Sequence, residues 1–434
     1  MTKSFAIVGS GPSGMYAADA LLKKFPSCRI CVFDKIPMPF GLIRYGVAPD
    51  HFKTKNTSRQ FLRTLELEQV HYLGNVEVGR DISTDELKEN FDAVVYAIGA
   101  YNDRQLGIKG ENLRGVYGAC AFVGWYNAHP DFCDLNPMLD GETVAVIGIG
   151  NVALDVCRVL TKTKTEMEGS DISTPALDKI QSMPIREVHM FGRRGPVEAG
   201  FTPKELGEVR DLERCAAIVD SRQLPQKIEG NFDTREKGIK EKNLKILNEL
   251  AEQSKPQKPI KMNFQFYASP IEILGKERVE GIRLERTEVI DGKAKSTGEV
   301  FDVPCCSVIT AIGYQADPPK GLKLNGAILE NTDGCIKDNV YVVGWAKRGS
   351  SGTIPTNGPD SRAVIELLSE TLENNNNTIK GGYDSIFKLL EARNVRTVSI
   401  NDMKKIQAAE IDNARKNHPW EKFTKIESML EVLN

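Results

Sequence analysis

Short apolar runs recur along this chain, several of them leading into a glycine-rich turn and then a helical stretch. The first run, Phe5-Ala6-Ile7-Val8, shows no polar alternation, which predicts a parallel strand covered on both faces. It enters Gly9-Ser10-Gly11-Pro12-Ser13-Gly14, after which residues 15–24 carry an alanine-rich helical pattern. A second strand is expected over 29–33 and ends in Asp34. Residues 57–67 have helical spacing, 76–79 are expected as a strand, and Ser83-Thr84 offers N-caps for a short helix opened by Asp85-Glu86-Leu87. Residues 93–98 form a further apolar strand that stops at Gly99-Ala100. Between these elements, 35–51 holds three prolines and two glycines and reads as an ordered loop. Alternation of this kind belongs to a doubly wound α/β domain.

The pattern then starts again. Residues 143–147 predict a strand, followed by Gly148-Ile149-Gly150-Asn151-Val152-Ala153 and a helix to about 162. Its next strand, 187–191, is delayed by a polar insertion over 163–182 that reads as a surface excursion, and it ends in Gly192-Arg193-Arg194. The stretch 227–261 is highly charged and is expected to be a helix-bearing peripheral segment. Antiparallel strands are expected over 264–274, 279–286 and 297–303. Residues 308–314 repeat the apolar-strand-to-glycine pattern of 94–100, as suits a chain that crosses out of one dinucleotide domain and back into another. A strand over 340–343 leads into Gly344-Trp345, a helix covers 360–372, residues 374–377 read as a loop, and the C-terminal residues are helical with charged faces.

Composition narrows the class. With 434 residues the chain has room for two or three domains, and a net charge of −2 gives no global reason to expect a nucleic-acid or membrane partner. No apolar run approaches the ~20 residues of a membrane-spanning helix. A start almost on the first strand leaves no room for a signal or transit peptide, so the cytosol is expected for a full-length product and the mitochondrial matrix for a processed one. The nine cysteines are scattered. Cys28 and Cys31 have C-x-x-C spacing but flank the start of a strand, where residues three apart face opposite ways. They read as core residues, as do Cys305 and Cys306, and no metal site is expected.

The two glycine motifs carry the chemistry. In the first, Gly9 permits a tight turn, Gly11 lets a phosphate approach the backbone, and Gly14 allows close helix–strand packing. The helix N-terminus then presents free N–H groups to a pyrophosphate. Asp34, twenty residues beyond Gly14, stands where a carboxylate accepts hydrogen bonds from the ribose of an ADP moiety. The second motif has alanine in the packing position and no acid at its strand tip. Arg193 and Arg194 stand there instead, which favours the 2′-phosphate of NADP. Two such folds in one chain imply a flavin and a nicotinamide held face to face.

Several motifs together resemble the adrenodoxin reductase family of NADPH–ferredoxin reductases. They are both fingerprints, the loop from Pro39-Phe40-Gly41-Leu42 to Ala48-Pro49-Asp50-His51, Gly150-Asn151-Val152-Ala153-Leu154-Asp155, Gly192-Arg193-Arg194-Gly195-Pro196, Phe201-Thr202 with Lys204-Glu205-Leu206, and Gly344-Trp345 with Lys347-Arg348-Gly349. The resemblance spans nearly the whole chain. It implies two Rossmann-like domains, with an NADP-binding domain (103–328) inserted between two parts of an FAD-binding domain (1–102 and 329–434). It implies that Gly9, Gly11, Ser13, Gly14, Asp34, Leu42 and Val78 hold the ADP side of FAD, and that Trp345, Gly352, Thr353 and Ile354 lie along its isoalloxazine. Gly150, Asn151 and Val152 would meet the NADP pyrophosphate, Arg193 and Arg194 its 2′-phosphate, and Glu205 and Gly352 other parts of that nucleotide. His51 and Asp155 match a polar pair near the flavin and are the catalytic candidates. The implied acceptor is a ferredoxin, [2Fe–2S] in type, and the implied state a monomer.

One stretch departs from the family. Where mammalian members carry basic residues thought to dock the acidic ferredoxin, this chain mixes Arg210, Arg214 and Lys240 with Glu208, Asp211, Glu213 and Glu241. Two other readings share the cofactors or the fold: a flavoprotein disulfide reductase, which needs a reactive cysteine pair beside the flavin, and a non-catalytic dinucleotide-sensing module.

Overall fold

The computed structural model describes residues 2–252, 258–373 and 379–434, so the expected loop at 374–377 lies outside the described residues. The chain divides into two compact units: 1–102, 127–133 and 313–434 in one, 103–126 and 134–312 in the other. The return to the first unit thus falls at Gly313 rather than at 329, and a short stretch, 127–133, also folds with it.

The first unit is built on a six-stranded sheet in the order Cys335–Lys337, Val340–Val342, Ala93–Tyr96, Ser4–Val8, Arg29–Phe33, Val70–Leu73. All neighbours are parallel except the edge strand Cys335–Lys337. Alternate residues of the Ser4–Val8 strand serve opposite faces. Phe5 and Ile7 pack with Met15, Ala18 and Leu21 of the helix Pro12–Lys24 and with Val364 and Leu368 of Asn357–Glu373. Ala6 and Val8 pack with Leu87, Ile386 and Leu390 on the other side. Burial on both faces explains the unbroken apolar run, and each large aliphatic side chain so buried contributes about 1.5–3 kcal/mol. Helix Thr84–Asn90 starts at Ser83 with a reciprocal capping box to Glu86.

The second unit repeats the plan with a six-stranded, all-parallel sheet. Its order is Val116–Gly118, Ser307–Thr310, Thr143–Ile147, Glu187–Phe191, Ile260–Gln265, Cys215–Val219. A three-stranded antiparallel sheet, Ala268–Leu274, Gly281–Ile290 and Lys293–Pro304, accompanies it. The α/β class with two doubly wound folds is therefore present as expected.

Four details differ from expectation. The strand beyond Phe33 is Val70–Leu73, whereas 76–79 contributes only a bridge between Val78 and Ile82, because the chain turns at Gly79 with φ +105°. The 35–51 loop contains one helical turn, Leu42–Tyr45. The 264–274 stretch is two strands, not one: it breaks at Tyr267, whose φ of +56° no strand accommodates. The 163–182 insertion is no surface excursion, since Met167, Ile172, Ala176, Leu177 and Ile180 are buried and helix Thr174–Gln181 packs inward.

Candidate functional site

The first cradle forms where Ser4–Val8 meets the helix Pro12–Lys24. Gly9 takes φ +108° and donates its N–H to the Phe33 carbonyl at 2.8 Å; a Cβ there would lie 2.4 Å from the Ala97 carbonyl oxygen. A Cβ on Gly14 would lie 2.1 Å from the Gly9 oxygen, so helix and strand touch at backbone distance. Gly11 caps the helix and is faced by Gly41, whose own Cβ would come within 3.2 Å of the Gly11 Cα. Two glycines face to face leave an open backbone surface at a helix N-terminus, which fits a pyrophosphate. Asp34 stands at the tip of Arg29–Phe33. Its Oδ2 accepts the Ser10 N–H at 3.0 Å and the Ser10 hydroxyl, and its Oδ1 accepts the Ile36 N–H at 3.1 Å. Burial raises its pKa against the pull of these donors.

The first unit also carries the other residues expected on the flavin side. Leu42 starts the helical turn after Gly41, and Val78 is buried just past Val76, whose N–H binds the Asp34 carbonyl at 2.9 Å. Gly344 turns with φ +72° directly over Ser13, and the Ser13 hydroxyl donates to Asn357 Oδ1 at 3.0 Å. Trp345 follows, its Nε1–H donating to the Ser351 carbonyl at 3.0 Å, with Tyr314 at 6.0 Å between ring centroids. Gly352 and Thr353 are exposed, and Ile354 is half-buried, at the start of Asn357–Glu373. His51 is buried and opens the turn Phe52–Lys55. Arg44, which the sequence left without a role, fixes this loop: its Nη2 reaches both oxygens of the buried Glu410 at 2.6 Å.

In the second unit Gly148 turns with φ +138° and donates to the Phe191 carbonyl at 2.8 Å. A Cβ on Gly150 would meet nothing within 4 Å, so the helix N-terminus at Asn151–Thr161 opens into free space. Asn151 holds its own wall: its Oδ1 accepts the Thr202 N–H at 2.8 Å. Val152 lies in the first turn and is half-buried. Thr202 in turn caps Pro203–Gly207, the short helix that carries the half-buried Glu205. Arg193 is exposed and Arg194 half-buried, with Arg194 Nη1 donating to the Gly292 carbonyl at 3.5 Å, and neither has an ion-pair partner among the described residues, which leaves both charges available to a phosphate. Asp155 Oδ1 pairs with Arg158 Nη1 at 3.1 Å, and Arg158, 1% exposed, reaches Glu208 at 2.7 Å. A buried arginine three residues past Asp155 was legible only as helical spacing. His51 lies in the first unit and Asp155 in the second.

The three basic residues of the departing stretch are spent inside their own unit. Arg210 pairs with Glu249, Arg214 donates to the Thr161 and Lys162 carbonyls at 2.9 and 2.8 Å, and Lys240 donates to the Val197 carbonyl at 2.5 Å. Cys28 and Cys31 are placed as core residues, not as a redox pair. Cys28 belongs to the core on one face of the first sheet and Cys31 to the core on the other. Burial pushes the Cys28 thiol up to about 11 and raises Cys31 as well, opposite to the shift a reactive thiol needs.

Two unlike dinucleotide cradles without a reactive cysteine pair define a pyridine-nucleotide-dependent oxidoreductase, and residues 3–190 match the family model described as pyridine nucleotide-disulphide oxidoreductase. The chain is 41% identical to NADPH-ferredoxin reductase FprA of Mycobacterium leprae over 89% of its length and 88% of that protein. It is 36% identical to human mitochondrial NADPH:adrenodoxin oxidoreductase over 100% of its length and 92% of that protein. Its structure superposes on Mycobacterium tuberculosis FprA in complex with NADPH with a TM-score of 0.95 at 37% identity, covering 100% of this chain and 99% of the other. The chain belongs to the NADPH–ferredoxin/adrenodoxin reductase family.

Proposed function

We propose that this chain is an FAD-dependent NADPH:ferredoxin oxidoreductase, acting as a monomer on a [2Fe–2S] ferredoxin. The observation that carries the reading is the unlike chemistry of the two strand tips: a carboxylate, Asp34, on one and an unneutralised arginine pair, Arg193 and Arg194, on the other. An acid suits a ribose with free hydroxyls, and the guanidinium pair suits a 2′-phosphate, so one unit takes FAD and the other NADPH. When bound, FAD would accept a hydride from NADPH and release the two electrons singly, which matches a one-electron acceptor.

The residues divide that work. Gly9, Gly11, Ser13, Gly14, Asp34, Leu42 and Val78 would hold the ADP side of FAD, with Gly11 at the helix start suited to the pyrophosphate and Asp34 to the ribose. Trp345, Gly352, Thr353 and Ile354 would lie along the flavin ring, and Gly352 would also meet NADP. Gly150, Asn151 and Val152 receive the NADP pyrophosphate, Arg193 and Arg194 the 2′-phosphate, and Glu205 another part of that nucleotide. His51 moves the proton that the reduced flavin would shed once both electrons have left, and Asp155, held by Arg158, is the carboxylate candidate for the same task. Nine free cysteines suit a reducing compartment, the cytosol or the mitochondrial matrix.

The test is direct. Denaturing the purified protein is expected to release free FAD, and NADPH is expected to drive reduction of a [2Fe–2S] ferredoxin. A colourless protein that cannot be reconstituted overturns the flavin reading. NADPH–ferricyanide turnover without ferredoxin turnover overturns the acceptor, and no turnover at all favours a nucleotide sensor.

A further inference from the structure

The turn that carries the arginine pair is held at every residue by groups outside it. Gly192 donates to the Gln265 carbonyl at 2.8 Å and accepts the Ala268 N–H at 2.9 Å. The Arg193 carbonyl accepts the Thr287 hydroxyl at 2.7 Å, and the Arg194 carbonyl accepts the Tyr267 N–H at 3.2 Å. Gly195 donates to Glu198 Oε2 at 3.0 Å and lies against the Tyr267 ring, where a Cβ would come within 2.4 Å of the phenol oxygen. Tyr267 and Thr287 are themselves joined, the Thr287 N–H donating to the Tyr267 carbonyl at 3.0 Å.

Most of these clamps come from the break between Ile260–Gln265 and Ala268–Leu274 and from the middle strand Gly281–Ile290. That strand pairs regularly with Lys293–Pro304 except for a register shift between Glu285 and Thr287. A bulge re-aims the side chains beside it. Here Arg286 stacks over the Phe301 ring at 4.2 Å, while Thr287, 8% exposed, points its hydroxyl at the Arg193 carbonyl. A polar side chain in this position is costly to bury without a partner, and the Arg193 carbonyl is the partner it finds.

We propose that Thr287 is a positioning residue for cofactor discrimination: its hydroxyl fixes the backbone of Arg193 so that both guanidinium groups are aimed before the 2′-phosphate arrives. The antiparallel sheet is then a backing plate for the specificity turn. The inference rests on the NADPH reading above. It places the gain in preorganisation, because an arginine on a loose turn must be ordered at the moment of binding.

The experiment uses the flavin-loaded protein. Thr287→Val keeps the branched shape and removes only the hydroxyl. The KM for NADPH and the dissociation constant of 2′,5′-ADP, measured by calorimetry, are expected to rise together by about three- to tenfold. The kcat with NADPH and the kinetics with NADH are expected to stay within twofold, and Thr287→Ser is expected to restore the parent values. Should the valine variant not fold, Thr287→Ser against Thr287→Ala isolates the same hydroxyl. An unchanged affinity for 2′,5′-ADP, or equal losses for NADPH and NADH, overturns the proposal. If Arg193→Ala costs NADPH nothing, the NADPH reading itself fails. If Arg193→Ala weakens NADPH and Thr287→Val does not, only the role of Thr287 fails.

Discussion

The two dinucleotide cradles are close copies in backbone and opposites in chemistry. In both, the first glycine turns with positive φ and donates at 2.8 Å to the end of the next strand, Phe33 in one and Phe191 in the other. In both, a Cβ on that glycine would strike a carbonyl across the sheet, Ala97 at 2.4 Å and Ala311 at 2.3 Å. The helices differ in how closely they pack: Gly14 leaves no room for a methyl group, whereas Ala153 occupies the matching place fully buried. The tips differ more. Asp34 is already enclosed by Ser10 and Ile36, and the second tip presents Arg193 to solvent. The shared backbone suits the feature common to both nucleotides, the pyrophosphate, and an acid or an arginine pair past the strand end distinguishes the two cradles.

The largest expected effect breaks that comparison at the packing position. Gly14→Ala should destabilise the protein by about 1–3 kcal/mol or more and strip it of flavin, because the new methyl would lie 2.1 Å from the Gly9 oxygen. Ala153→Gly should cost only about 1 kcal/mol. Urea titrations followed by flavin absorbance and tryptophan fluorescence measure both, and similar losses would mean that the two helices pack alike.

Next in size is the tip chemistry. Each charge-assisted contact is worth about 1.5–3 kcal/mol, or about 10- to 150-fold. Replacing Arg193 and Arg194 together by alanine should raise the KM for NADPH by about two decades or more and leave NADH almost unaffected. Asp34→Asn should instead lower flavin content without altering the NADPH/NADH ratio. Steady-state kinetics and flavin quantitation separate the two, and equal losses for both nucleotides would assign the arginines to the fold.

A third prediction concerns the one short stretch that leaves the second unit's sequence to fold with the first. His129 is buried there; its Nδ1 accepts the Asp131 N–H at 3.1 Å and its Nε2 faces the Tyr101 hydroxyl. Burial brings its pKa down to about 4, against ~6.5 in the unfolded chain. Between those values the unfolded chain binds the extra proton, so this stability is complete above about pH 6.5 and is lost as the pH falls toward 4, by about 3 kcal/mol. His129→Gln should flatten the decline in urea midpoint over that range. An unchanged slope would place the acid sensitivity elsewhere.

The smallest effect belongs to the proton route. His51→Gln or Asp155→Asn should slow turnover several-fold and shift its pH dependence with FAD content intact. Single-turnover flavin reduction and reoxidation across pH check this. Profiles that overlay the parent's would make both residues structural.

The central strands of both sheets were legible because burial on two faces leaves an unbroken apolar run. Of the strands that were missed, Val70–Leu73 is interrupted by His71, whereas Cys215–Val219 is apolar throughout but begins with Cys215, Ala216 and Ala217, small residues that signal a strand only weakly. The 163–182 insertion looked like surface because its polar residues Ser170, Asp171 and Ser173 are buried, and composition does not register a polar group inside. Arg44 was unreadable for the same reason: its partner Glu410 stands 366 positions away.

By itself, then, the sequence determined what depends on neighbours along the chain: two strand–glycine–helix turns, and an acid or an arginine pair at the following strand tip. Those features are local because positive φ and helix starts are set within a few residues. Only the tertiary structure decided which groups brace them. Ser10 closing on Asp34, Glu410 holding Arg44 and Thr287 holding the Arg193 carbonyl all follow from which strands and helices become neighbours, and that is settled by how the whole core packs.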